Sequence, residues 1–384
     1  MSTLRVDGIR SNSATSDAIT LASDGTCTAN ITNNLSNRNK IINGSQQIFQ
    51  RGTSELRTGG NDGYYNGIAD RWAIRMHSSM GQTTFSQDTS DTPDGFGSSQ
   101  KLVRANAGSS NTAKYFVYDT KLEGQDLQDF AKGTSSAKKF TLSFYVKTGV
   151  SGVYCIEIRD LDNNRMVGGT YTVSNSNWNK YTLSFPADTT GKFDNDNNAS
   201  LWVRFWLAAG SSFTSGTART TWGSFSGSDL AVGQTAQVGD NPADTWQITG
   251  VQLEVGSFSS DFEFRSFGQE LALCQRYYET SHSYGTAFGT NTSEGKFLQN
   301  GTTNGAGNQQ VTIYFRTTKR ANPTVTGHYD GTVGSWFGAR QGAAAVTGVY
   351  FDLIGMNSFR AYNAIGAIYV PSEQIGHWQA DSEL

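Results

Sequence analysis

The stretch KFTLSFYVKT, residues 139–148, places Phe140, Leu142, Phe144 and Val146 at alternate positions, with Thr141, Ser143, Tyr145 and Lys147 between them. A period of two turns successive side chains to opposite faces of an extended strand, so the first four share one apolar face. Working outward, strand-like runs recur in DRWAIRM (70–76), KYFVYDTKL (114–122), VYCIEIRDL (153–161), KYTLSFP (180–186) and TWQITGVQLEVG (245–256). In SLWVRFWLAA (200–209) the alternation is nearly lost, as expected for a strand covered on both faces. Clusters of Gly, Asn, Asp and Ser join these runs, with no convincing helix over about 200 residues. The pattern predicts an all-β chain whose central region, residues 40–267, is an antiparallel β-sandwich of jelly-roll-like arrangement. Trp72 falls in the core-facing alternation with Ile74 and Met76, and Val251, Leu253 and Val255 form an apolar face opposite Gln252 and Glu254. Glu254, Glu263 and Arg265 are expected to form an ion-paired cluster where the sandwich ends.

Residues 1–39 consist of short strand-like pieces, LRVDGI, AITLA and TANIT, with Asp24-Gly25 as a turn signal. A lone pair of such strands cannot bury enough apolar surface to stand alone, so this arm needs copies of itself or another protein to be ordered. After the sandwich, GQELALCQRYYE (268–279) breaks the strand pattern. Leu271, Cys274 and Tyr278 recur at i, i+3 and i+7, with Leu273 and Tyr277 beside them and Glu270 near the positive end of the dipole. A short connecting helix is therefore predicted within 268–282, packed on the sandwich or on a symmetry mate, with Cys274 buried. Residues 283–384 return to strands, in QVTIYFRT (310–317), VTGVYFDLI (346–354) and SFRAYNA (358–364) among others, enough for a small C-terminal β domain.

The 384 residues carry 16% charged side chains, below the roughly 25% of an ordinary soluble domain, so solubility rests on Asn, Ser, Thr and Gln. A formal net charge of -3 without a long basic run gives no electrostatic footprint for nucleic acid. Cys27, Cys155 and Cys274 are widely separated and lack a C-x-x-C partner, which indicates neither a disulfide framework nor a zinc site. The beginning MSTLRVDGIR has no signal-peptide-like apolar run, and no segment approaches 18 consecutive apolar residues, so neither secretion nor membrane insertion is expected.

Three segments are more specific: NKIINGSQQIFQRGTS (39–54), GIADRWAI (67–74) and ITGVQLEVGSFSSDFEFRSFGQELALCQRYYE (248–279). In order and spacing they resemble a module of tail-fibre and other virion-appendage proteins of tailed bacteriophages. The module opens with an N-x-L-I-N-G…Q-R-G type segment and an A-D-R-W strand, and closes with G-V-Q-L-E-x-G…F-E-x-R and an E-L-x-x-C-x-R-Y-Y helix. The arm LRVDGIRSNSATSDAITLASDGT is similar to the short repeats that begin such proteins of marine and cyanobacterial phages. The resemblance implies a structural virion protein, assembled in the host cytoplasm and commonly homotrimeric. Its arm would meet other virion proteins and its outer domains the bacterial surface, as a tail fibre or receptor-binding protein. An arm confined to residues 1–39 leaves no room for a large anchoring domain or long shaft, which implies a short fibre or the distal piece of a composite one. The rival expectations are a purely architectural head fibre, decoration or tail-adaptor protein, and a depolymerase of envelope polysaccharide.

No catalytic set accompanies these segments. There is no G-x-S-x-G elbow, H-E-x-x-H helix or Walker loop, and His77, His282, His328 and His377 are scattered, read as surface or interface residues. No repeated rung of a parallel β-helix is seen. No enzyme and no cofactor are expected, beyond a structural calcium in KFDNDNNAS. There Asp194, Asp196 and Asn198 follow half of a calcium-loop spacing, but Ala199 and Phe205 stand where that loop needs Gly and Glu, and a polar turn is the competing reading. Binding fits better, because aromatics make up 12% of the chain and many lie in loops among Gly, Ser and Asp. Tyr64 and Tyr65 in NDGYYNG, Trp222 and Phe225 in TTWGSFSGS, and Tyr329, Trp336 and Phe337 in HYDGTVGSWFG combine flat rings with hydrogen-bonding neighbours, which suits the C–H face and hydroxyls of a saccharide such as a host-surface glycan. The same rings serve equally to pin long loops to a core or to fill a subunit interface.

Overall fold

The structure is a computed structural model that describes residues 36–60, 62–302, 308–329, 331, 337–341, 344–346, 349–364 and 371–384, and 6–13, 15, 17–21, 23 and 27–29 ahead of them. Phe140–Thr148 is a central strand, and its inward residues Phe140, Leu142, Phe144 and Val146 are buried. It pairs antiparallel with Asn179–Phe185 on one side and Thr245–Val255 on the other. Ser99–Arg104, Gln82–Asp88 and Ser54–Thr58 complete a six-stranded sheet. The facing sheet has seven strands in the order Gly223–Ser224, Arg165–Val173, Gly152–Asp160, Ala199–Ala209, Tyr115–Glu123, Ala73–Met76 and Asp62–Gly63. The chain changes sheets after Thr58, Met76, Arg104, Glu123, Thr148, Val173, Phe185 and Ser224, which gives the predicted jelly-roll-like sandwich.

Aromatic rings fill the space between the sheets. Trp72 lies flat on Tyr118, with centroids 4.8 Å apart, and Phe144 meets Phe205 edge-on at 5.0 Å. Each such ring withdrawn from water is worth about 1.5–3 kcal/mol. Ala199–Ala209 is covered on both faces at one end, as its lost alternation predicts. Leu201, Val203, Phe205 and Leu207 enter the main core, while Trp206 packs outward with Val117, Cys155 and Met166 beneath Leu230 and Ala231. Gly250 sits in a bulge of Thr245–Val255 at φ 62°, where a Cβ would approach the Phe96 ring to 2.7 Å. That close approach requires the glycine of GVQLE.

The segments that carry the resemblance converge on one buried polar junction. Asn43 accepts from the backbone N–H groups of Gln47 and Ile48 and donates to the carbonyls of Ile48 and Asp70. Asp70 accepts from Gln50, whose amide also donates to the Tyr278 carbonyl at 2.9 Å. The Arg51 and Arg71 guanidiniums lie over the rings of Tyr278 and Tyr277, at 3.7 and 3.4 Å, and both pair with Glu383. Glu123 accepts two bonds from Arg276, each of 2.8 Å, and one from the Tyr277 hydroxyl. Burial pushes the Asp70 carboxyl up to about 6, against the pull of Arg51 and Gln50.

The connecting helix is Phe267–Gln275, shorter than the predicted span. Ser266 and Gln269 form a capping box at its start, and Glu270 and Cys274 face inward. Tyr278–Thr280 leaves the helix because it pairs with Gln379–Asp381, so Tyr278 belongs to a strand of the C-terminal domain and not to the helical stripe. The expected cluster of Glu254, Glu263 and Arg265 does not form. Glu254 accepts from Ser260 and Gln252, Glu263 accepts from the backbone of Asn37 and Asn39, and Arg265 turns to Glu270 and the carbonyls of Asn39 and Ile41. Each carboxylate is drawn to nearer N–H or O–H donors, which leaves the arginine to another partner.

The C-terminal domain is built on Pro371–Asp381, which pairs with Tyr278–Thr280, Phe297–Thr302, Thr324–His328 and Phe337–Gln341. Trp378, Phe359 and Val325 are in its core. Here three histidines read as scattered surface or interface residues come together, buried. The His282 ring stacks on His377 at 3.7 Å, and His282 Nε2 lies 2.9 Å from His328 Nε2. Gly289 and Gly331 donate backbone N–H groups to His328, and His377 bridges Ser281 and the Thr292 carbonyl. Burial, then the charges of His377 and His328, push His282 down to about 4. In the arm, Gly8–Ile9, Ile19–Leu21 and Cys27–Ala29 form a three-stranded sheet that leaves Val6, Ile9 and Leu21 exposed.

Candidate functional site

The outer face of the seven-stranded sheet is covered by Leu230 and Ala231 at the end near Trp206 and Met166. Beyond them its residues fall into rows set by strand register. Lys121 lies opposite Trp202, and Trp202 opposite Arg159. In the next row Asp119 lies opposite Arg204, and Arg204 opposite Glu157. Arg75, opposite Val117 on the neighbouring strand, reaches Asp119 and the Trp202 ring with its side chain. Alternation assigns all of these side chains to the face opposite the core. The result is an indole ring bordered by charged groups.

Trp202 is half-buried, and three cations surround its ring: Arg204 at 4.4 Å, Arg75 at 4.8 Å and Lys121 at 5.0 Å. Arg75 Nε donates to Asp119 at 2.7 Å, and Arg204 Nη1 donates to Glu157 at 2.9 Å. Several polar atoms here have no partner among the described residues although they are buried: Trp202 Nε1, Arg204 Nε, Arg159 Nε, Asp119 Oδ1 and Glu157 Oε1. A buried polar group left without a hydrogen bond costs about 1–3 kcal/mol, so such atoms gathered on one face mark a place where water or a ligand completes them. Lys121 donates to the Leu384 carbonyl at 3.0 Å, and Arg159 lies over the Phe225 ring at 3.7 Å. Burial and the neighbouring Arg75 push the Lys121 ammonium down, and burial with Arg204 does the same to Arg159.

The loops singled out in the sequence form the two edges of this sheet, Asp62–Gly63 and Gly223–Ser224. Tyr64 borders the face and donates to the Leu384 carbonyl at 3.1 Å; burial raises its hydroxyl pKa. Phe225 borders the opposite edge through Arg159. Tyr65 donates to the Asp62 carbonyl beneath Arg57 and packs on the core, and Trp222 donates to the Pro186 carbonyl and packs there too. Tyr329 lies apart, in the C-terminal domain, with Lys296 over its ring at 4.3 Å. Trp336 falls outside the described residues, and Phe337 is described only by its backbone, in the strand Phe337–Gln341.

Asp194, Asp196 and Asn198 form a polar turn. Asp196 accepts from the Asn198 backbone and side chain, and the Asp194 backbone donates to Asp162. Among the described residues no three His, Cys, Asp or Glu side chains are placed to hold a metal ion. No described helix is long and apolar enough to cross a membrane.

No protein-family model matches the chain, and no curated protein matches it. Among solved structures it is similar to one described as "CBM4 structure and function", at 15% identity and a TM-score of 0.29 over 56% of this chain and 99% of that one. It is also similar to a CBM61 module in complex with β-1,4-galactotriose, at 8% identity and a TM-score of 0.27 over 57% and 99% of the two chains. A cyclase from Fischerella sp. in apo form overlaps at 10% identity and a TM-score of 0.31 over 58% and 98%.

Proposed function

We propose that the chain is a virion appendage protein of the tail-fibre kind, which attaches a phage particle to its host by binding surface saccharide on the outer face of the seven-stranded sheet. The observation that carries the binding role is the half-buried Trp202 ring set among polar atoms that no described residue satisfies. A sugar ring offers a C–H face to the indole and hydroxyls to the arginines and carboxylates around it. The virion role is supported by the motif segments, which this fold uses to join the sandwich to the C-terminal domain. It is supported too by the exposure of Val6, Ile9 and Leu21 among the described residues of the arm. The arm is the attachment and trimerisation element, and the sandwich presents the binding face.

Titration of the full chain with oligosaccharides released from host envelope, beside the Trp202→Ala variant, tests the binding role. Stacking on an aromatic ring is worth about 0.5–1.5 kcal/mol beyond buried area, so the variant should bind roughly tenfold more weakly while melting at nearly the same temperature. Unchanged affinity in the variant would refute the site.

A further inference from the structure

Resting on that saccharide reading, we infer that the Trp202 face selects an anionic sugar, one that carries a carboxylate or a sulfate. The face holds four cations, Arg75, Lys121, Arg159 and Arg204, against three carboxylates, Asp62, Asp119 and Glu157. Asp119 is committed to Arg75 and Glu157 to Arg204, while Asp62, opposite Arg75, accepts from the Met76 backbone and the Tyr115 hydroxyl. Lys121 and Arg159 then have no ion pair with an Asp or Glu side chain among the described residues. They share a row with Trp202 between them, so adjacent strands about 4.8 Å apart set their backbone positions about 10 Å from each other on either side of the indole.

That span matches a pyranose laid on the indole with a charged substituent reaching one flank. Lys121 meets a main-chain oxygen of Leu384, the last residue, and Arg159 meets only the neutral amide oxygen of Asn164, which leaves its charge uncompensated. The arginines present planar donor arrays suited to carboxylate and sulfate oxygens. Burial and neighbouring cations already disfavour the charged form of Lys121, so an arriving anion relieves a repulsion that a neutral sugar leaves in place. A positive face on a chain of net charge -3 is also a local feature, distinct from its overall balance.

The test uses the full chain and two pairs of probes: tetragalacturonate with its carboxyl-reduced neutral form, and a sulfated galactan tetrasaccharide with its desulfated form. At least one charged probe should bind at least tenfold more tightly than its neutral partner, with affinity that falls as salt is raised. Lys121→Met and Arg159→Met keep the apolar stems and should remove that preference without changing the melting temperature. Equal binding of charged and neutral partners would overturn the anionic class and leave the saccharide reading standing. Binding of none of the four probes would count against both. Preference for the sulfated probe over the uronate, or the reverse, identifies which anion the face accepts.

Discussion

At the level of single residues, the junction depends on charges held out of water. Glu383 lies between Arg51 and Arg71, all three buried, and each guanidinium also covers a tyrosine ring. Removing one member of such a set leaves uncompensated charge inside the protein, at a cost of about 3–5 kcal/mol. Glu383→Ala should therefore lower stability by that amount in denaturant unfolding, far more than Asp352→Ala, whose ion pair with Arg360 is on the surface. The histidine cluster sets a pH dependence whose sign follows from burial. An unfolded histidine takes up a proton near 6.5, whereas folded His282 resists it down to about 4, and His377 is lowered too. Their contribution to stability is complete above about 6.5 and is lost as pH falls from there toward 4. Asp70, raised to about 6, works in the opposite direction over part of that range, so the imidazoles are best followed one by one. Ring-proton NMR should show His282 neutral at pH 5, and a midpoint near 6.5 would contradict its burial. None of this was legible beforehand, because His282, His328 and His377 meet only after two strand pairings bring three strands together.

At the level of elements, the inward half of the sandwich was readable and the outward half was not. The alternation in KFTLSFYVKT identifies a buried face from one strand alone, and the structure buries those four residues. The Trp202 face needs the register of four strands at once, and register is not written in any one of them. Lost alternation in SLWVRFWLAA did foretell double coverage, but it hid the uncovered position of Trp202 within the same strand. Loop aromatics were the better guide: Tyr64 and Phe225 border the face, although Tyr65 and Trp222 turned out to be packed on the core. The helix was found but overrun, since the residues after Gln275 gain more by pairing with Gln379–Asp381 than by extending the helix. Its start is well defined by the capping box, so Ser266→Ala should cost about 1 kcal/mol in thermal or denaturant unfolding, with little effect on glycan binding. A loss of binding in that variant would tie the helix to the site.

At the level of the whole molecule, the sandwich and the C-terminal domain are joined by side chains from both, with Arg320 donating to the Asn197 carbonyl and the Asn197 amide donating to the Arg320 carbonyl across the boundary. The arm meets the sandwich where Asn37 and Asn39 donate to Glu263, and among its described residues Val6, Ile9 and Leu21 are exposed. This arrangement fits a chain tethered at one end, with a binding face on the body it tethers. The density map of an intact particle bearing the chain tests that account most directly. It should show three copies at a tail appendage, their arms packed against other virion proteins and the Trp202 faces open to solvent. A position on the capsid, or Trp202 faces buried against a neighbouring virion protein, would contradict it.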